Sequence, residues 1–305
     1  MSLAPVSRRE FLATAAALTF QGKPRTRLVL LGTGGGPRPK RDRSAPAQAI
    51  VVGEDVYLVD CGDGVARQMA QADLPFSRLR AAFITHHHSD HNADFGNLLL
   101  LAWSGLKGPV DLYGPPPLAK MTDLFFELNA RDIEIRMADE ARPPLSSFAR
   151  AHEIERGGEV LSRPDVKVTA ALVEHPPVVP SFAYRFDTSD RSIVISGDTA
   201  RSEALIALAR GADVLVHEAL WVPGIDWLQK QMPNADPAQL RKHMLESHTP
   251  VEEAGRIAAD AGVKTLVLSH FVPGDIPGLT DDDWRGGAQA YFKGEIVVGE
   301  DLMEI

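Results

Sequence analysis

Four histidines and an aspartate crowd into the seven residues Thr85-His86-His87-His88-Ser89-Asp90-His91. Imidazole nitrogens and carboxylate oxygens are the usual ligands of zinc, and also suit manganese or iron. His86 and His88, two residues apart, point the same way if the backbone is extended. Asp90 and His91 then fall on the following turn, so the run supplies two adjacent groups of ligands. A surface metal-binding tract is the bland alternative, but the run directly follows Leu79–Ile84, which reads as a buried strand. Two ions about 3.5–4 Å apart can share one water, lower its pKa toward about 7, and clamp the attacking and leaving oxygens of a displacement. That chemistry serves hydrolysis at phosphorus or sulfur, or at the carbonyl of a lactone or amide.

Positioning such a site takes a scaffold of strand ends. Thr26–Leu31 reads as a strand running into Gly32-Thr33-Gly34-Gly35-Gly36-Pro37. The glycines suggest a dinucleotide loop, but Pro37 and Pro39 stand where a helix should be running, so the segment reads as a tight turn for close backbone approach. Ala47–Val52 and Val56–Val59 form a hairpin about Gly53-Glu54-Asp55 and deliver Asp60-Cys61-Gly62. Helices are expected over Val65–Ala72, Ala93–Gly105 and Leu118–Leu128, with a strand at Val110–Tyr113. The rest of 118–165 is a polar stretch broken by proline and glycine. The second half repeats the pattern loosely, with strands at Val166–Val173, Phe182–Phe186, Ser192–Ser196, Val214–Val216 and Thr265–Leu268. All but the second of these end near a polar residue, where open sheets collect ligands. Thr249-Pro250-Val251-Glu252 reads as a capping box opening a helix to Asp260, stopped by Gly262.

With 305 residues, 44% hydrophobic and 24% charged, the chain supports one large folded domain, and its formal charge of -9 argues against a polyanionic partner such as nucleic acid. A single cysteine, Cys61, excludes an intramolecular disulfide. Ser7-Arg8-Arg9-Glu10-Phe11-Leu12 leads into a short apolar run, Ala13–Phe20, the pattern of a twin-arginine export signal. Residues 1–25 are therefore expected to be a leader and 26–305 the domain, exported to a periplasmic space or, if the leader is no signal, cytoplasmic. The run falls short of the roughly 20 apolar residues a membrane span needs.

The run His86, His88, Asp90, His91 matches the HxHxDH motif, and the chain resembles the metallo-β-lactamase superfamily from about Leu28 onward. It is most similar to the ribonuclease Z and arylsulfatase branch, through Leu31-Gly32-Thr33-Gly34, Asp60-Cys61-Gly62, Ser196-Gly197-Asp198-Thr199, His217-Glu218-Ala219, His248-Thr249 and Leu268-Ser269-His270-Phe271. The resemblance implies an α/β fold of four layers, an αββα sandwich with the site at one edge. It also implies two divalent ions, zinc foremost: one on His86, His88 and His175, the other on Asp90, His91 and His270, with Asp198 bridging. Asp90, His248 and Glu218 become the catalytic residues, His248 as general acid and Glu218 as its orienter. Taken singly, His175 could be a loop histidine, Asp198 a helix cap and His270 a core residue. A bridging Asp198 weighs against the β-lactamases themselves. The acidic charge, the leader and the lack of an evident basic arm in 118–165 favour a small phosphodiester or aryl sulfate over transfer RNA. A ribonuclease Z-like endonuclease, a lactonase and a non-catalytic metal-binding protein are the alternatives, and a homodimer is expected from the resemblance. Trp103, Trp221, Trp227 and Met232 could line an apolar pocket or simply belong to the core.

Overall fold

The computed structural model describes residues 26–305. The export leader expected in 1–25 lies outside them. Two sheets carry the fold. The first runs in spatial order β1 (Thr26–Gly32), β2 (Ala47–Val52), β3 (Asp55–Val59), β4 (Leu79–Phe83), β5 (Val110–Gly114), β6 (Ala149–Glu153). The second contains β7 (Gly158–Arg163), β8 (Val166–Leu172), β9 (Phe182–Thr188), β10 (Ser192–Ile195), β11 (Val214–Leu220), β12 (Thr265–Val272) and β13 (Glu295–Val298), again in sequential spatial order. Each sheet begins antiparallel, in hairpins, and ends parallel, β3 to β6 in one and β10 to β13 in the other. The loose repeat expected from the sequence is this shared plan.

Alternation along the strands sorts the side chains into layers. In β1, Leu28 and Leu30 face the second sheet, where they join Tyr184, Phe186, Ile193 and Val214 in one buried cluster. Val29 and Leu31 face the other way, onto helices α1 (Val65–Gln71) and α3 (Phe95–Ala102), which flank the four-residue α2 (Ser89–Asn92) in the chain. Helices α4 (Leu118–Leu128) and α5 (Ala130–Glu140) follow on the same side. The outer face of the second sheet packs on α6 (Glu203–Ala209), α9 (Val251–Ala261) and α10 (Asp281–Gln289). Helices α7 (Ile225–Gln231) and α8 (Pro237–Ser247) make a small cluster of their own with Leu220 and Val272. The result is the four-layer αββα sandwich.

The aromatic centre of the inter-sheet layer holds the site's foundation still. Phe83 stands 5.3 Å from both Tyr184 and Phe186, and burial of each ring contributes roughly 1.5–3 kcal/mol. Tyr184 donates its hydroxyl to the Ile84 carbonyl (2.8 Å), and Phe182 N–H donates to Thr85 O (3.0 Å), so the second sheet fixes the strand end from which the histidine run departs.

One local expectation is corrected and one alternative reading falls away. Thr249 does not close a capping box: the residue before α9 is Pro250, and the Thr249 hydroxyl donates instead to the Thr199 carbonyl, tying two site loops together. Asp198 caps no helix, since α6 begins later and is capped by Ser202. The segment 118–165 holds a second helix, α5, that its polar sequence concealed; none of its residues is fully buried.

Candidate metal centre

Apart from His175, the site collects at the C-terminal ends of the parallel strands. Beyond β4 the chain stays extended through His88, whose backbone lies at φ -77, ψ 148, and then turns into α2, which carries Asp90 and His91. His175 comes from the loop after β8, and Asp198 from the turn after β10, where Gly197 takes φ 61. His270 is the extra residue of a bulge: β11 and β12 pair Glu218 with Ser269 and then Ala219 with Phe271, skipping it. Its φ of 46 is costly for a non-glycine residue, and bulges of this kind re-aim one side chain out of the ladder.

These elements bring together every metal-site residue inferred from the sequence. His86 Nε2 lies 3.1 Å from His88 Nδ1 and 3.9 Å from Asp198 Oδ2. His175 Nε2 is 3.2 Å from the same His88 nitrogen and 4.0 Å from Asp198 Oδ2. In the second group His91 Nε2 and His270 Nε2 are 3.1 Å apart, lying 3.5 and 3.4 Å from Asp90 Oδ2 and 3.2 and 3.0 Å from Asp198 Oδ1. Asp198 thus turns one oxygen toward each group.

A divalent ion fits both groups. Four ligands at about 2.0–2.1 Å around a tetrahedral zinc stand about 3.3 Å from one another, close to the spacings here. Among the described residues Asp198 Oδ1 is buried with no hydrogen-bond partner, although two histidine nitrogens stand close to it. An orphaned buried carboxylate oxygen costs free energy that a cation would recover.

A second layer of contacts orients the donors. Asp60, itself held at φ 62, accepts from Thr85 N–H (2.8 Å) and lies 2.7 Å from His91 Nδ1. His175 Nδ1 lies 2.7 Å from the Ser247 carbonyl, which turns Nε2 toward the donors. Such partners fix the imidazole tautomer. Gly36 N–H donates to Asp90 Oδ2 (2.8 Å), and a Cβ on Gly35 would stand 2.5 Å from His270 Nδ1. The close backbone approach read from the glycine loop is therefore an approach to this site.

Burial lowers the pKa of His86 well below the usual value and that of His175 to about 4, leaving both rings neutral, as ligation requires. Burial opposes ionisation of Asp90 too, but His91 and His270 outweigh it and hold the carboxyl low.

A family model described as the beta-lactamase superfamily domain matches residues 56–271. The chain belongs to the metallo-β-lactamase superfamily. It is a hydrolase of that fold, and the fold implies divalent metal ions. It is 36% identical over 282 residues to a protein of Mycobacterium marinum named Ribonuclease Z, covering 91% of this chain and 97% of that one. A Ribonuclease Z of Mycobacterium bovis is 34% identical with the same coverage. Among solved structures, the short form of human tRNase Z overlays with a TM-score of 0.66 at 24% identity, covering 92% of this chain and 98% of that one. The fold protein YhfI of Bacillus subtilis gives 0.67 at 21%, with the same shares.

Beside the donor groups of this superfamily hydrolase stands a buried histidine–carboxylate pair. His248 Nδ1 lies 2.8 Å from Glu218 Oε2, while the other Glu218 oxygen accepts from Thr199 N–H (2.6 Å). Burial works against a charged imidazole, but Glu218 and Asp198 more than offset it, raising His248 to about 9. Burial pushes the Glu218 carboxyl up, tempered by His248.

Above His88, Asp198 and His248 opens a cavity of about 220 Å³, walled by Leu228, Met232, Leu240 and Met244. Of the four residues singled out for an apolar pocket, only Met232 lines it. Trp103, directly after α3, belongs to the buried core, Trp221 packs on Trp284, and Trp227 meets the Arg38 guanidinium. His243, unnoticed in the sequence, also faces the cavity, its ring 5.4 Å from His248 and 6.1 Å from His88. The spacing Leu240, His243, Met244 is the i, i+3, i+4 signature of one helix face, and that signal could have found it.

Proposed function

We propose that this chain is a two-metal phosphodiesterase with the chemistry of its ribonuclease Z relatives. The observation that carries the reading is the pair of donor groups sharing Asp198, with the His248–Glu218 pair at their side. One group, His86, His88 and His175, and the other, Asp90, His91 and His270, would each hold one divalent ion, bridged by Asp198. When bound, the two ions would polarise the phosphoryl oxygens and lower the pKa of a water between them.

The chain's own residues supply the rest. Asp90, anchored by Gly36 N–H, helps orient the attacking water. Glu218 holds His248 by Nδ1, so that the proton on Nε2 is delivered to the leaving oxygen as the phosphorus–oxygen bond breaks. The products are a phosphate monoester and an alcohol.

The relatives' names make an RNA phosphodiester the first substrate to test. They favour the endonuclease that the sequence placed behind small esters on grounds of charge and export. A small diester is the second reading, favoured by the apolar cavity of about 220 Å³ directly over the donors. Zinc- or manganese-loaded protein should be compared on precursor transfer RNA, bis(4-nitrophenyl) phosphate, 4-nitrophenyl sulfate and a homoserine lactone. Metal-dependent turnover of either phosphodiester supports the proposal. Turnover confined to the sulfate or the lactone overturns it.

A further inference from the structure

The apolar cavity differs from the rest of the site in chemistry. Its floor is His88, Asp198 and His248, all polar and all part of the proposed reaction, whereas most of its exposed wall is apolar, with Arg38, Lys40, His243 and Asp275 sharing the lining. The aliphatic part comes mainly from two helices: Leu228 on α7, and Leu240 and Met244 on α8, with Met232 between them. Met244 lies one helical turn before His248, which follows the end of α8, so the apolar surface begins where the proton donor ends. Drug-sized ligands occupy about 300–1,000 Å³, so a cavity of about 220 Å³ holds only a part of a substrate, on the scale of one ring. A polar edge pushed against the aliphatic part of that wall, at Leu228, Met232, Leu240 and Met244, would lose its hydrogen bonds to water without replacement, at a cost of about 1–3 kcal/mol. Methionines there adapt to the outline of a hydrocarbon.

We infer that this chamber seats an apolar, ring-sized group on the leaving alcohol of the substrate. The inference rests on the phosphodiesterase reading and adds which ester of the diester departs. In 2-phenylethyl methyl phosphate, water attacks phosphorus, the bond from phosphorus to the phenylethyl oxygen breaks, and His248 protonates that oxygen. The products are 2-phenylethanol and methyl phosphate. The two alcohols have similar intrinsic leaving ability, so the product ratio reports the seating.

The test uses the metal-loaded full chain and that diester, with products separated by chromatography. Release of 2-phenylethanol should exceed release of methanol by about 30-fold, the scale expected for burying one ring. Leu228→Gln together with Met232→Gln, both on the half-buried rim, should bring the ratio close to one. In a parallel arm, thymidine 3′-(methyl phosphate) replaces phenylethyl by a nucleoside. A comparable preference for nucleoside release would assign the chamber to the face of a base, and a weak one to hydrocarbon.

A binding measurement separates this inference from the reading beneath it. The methyl ester of 3-phenylpropylphosphonate, whose carbon replaces the leaving oxygen, should bind at least about tenfold more tightly than the methylphosphonate ester, and lose that margin in the double variant. Equal binding of the two phosphonates, or a margin that survives the double substitution, overturns the inference whatever the turnover. Selective phosphonate binding with no hydrolysis of any diester would instead overturn the phosphodiesterase reading alone.

Discussion

If His248 protonates the leaving oxygen, its removal should matter in proportion to how badly that oxygen needs a proton. An alkoxide cannot depart unprotonated, whereas 4-nitrophenolate is stable enough to leave alone. Positioned general acids contribute roughly 10²- to 10⁴-fold. His248 is buried, stands 2.8 Å from Glu218 and is raised to about 9, so near neutral pH almost every molecule carries the proton, and the full contribution is available. His248→Ala should therefore cut kcat on an alkyl diester or RNA by about 10³-fold, but on bis(4-nitrophenyl) phosphate by less than about 10-fold. Steady-state kinetics on both substrates, with bound metal measured to show that both ions remain, provide the assay. Equal losses on the two substrates would refute the role of proton donor and leave His248 as a binding residue.

The same pair fixes a pH dependence. Because Glu218 is the leading cause that raises His248, activity on the alkyl diester should persist until pH rises through about 9, and in Glu218→Gln it should fall away at lower pH; an unmoved alkaline limb contradicts this. Asp60→Ala removes the partner of His91 and should weaken metal binding by about 10- to 100-fold in a competition titration with a chelator, without unfolding the chain. Gly35→Ala places a methyl against His270 and should selectively weaken the ion held by Asp90, His91 and His270; unchanged binding of both ions would contradict the close approach. His217 is buried and lowered to about 4 by burial, against about 6.5 when unfolded. Its contribution is whole above pH 6.5 and is lost as pH falls toward 4, on the order of 3 kcal/mol. Urea midpoints of the metal-free chain should thus drop between pH 7 and 5, and drop less in His217→Gln.

The cluster of candidate ligands was legible because most of it is local. His86, His88, Asp90 and His91 share one short run, and a strand followed by a turn is enough to split them into two groups. His270 was identifiable by its motif, but its placement depends on a bulge between β11 and β12, which follows from strand register and no pattern within β12 reveals it. Asp60 stood in a quoted motif without a role, since its partner His91 lies 31 residues on and meets it only when β3 and β4 pair in parallel. The cavity wall was least readable. Leu228, Met232, Leu240 and Met244 look like ordinary core residues, and only the small separate cluster that α7 and α8 form shows that they border open space.

The central claim is that two ions, shared through Asp198, run the hydrolysis. Its most direct test is to strip the protein of metal and titrate zinc or manganese back while following both bound metal and hydrolysis of a phosphodiester. The account predicts uptake of two ions per chain, activity that rises with the second, and loss of both ions in Asp198→Ala. Full activity with one ion or none, or an Asp198→Ala chain that binds two ions as tightly as the parent, would contradict it.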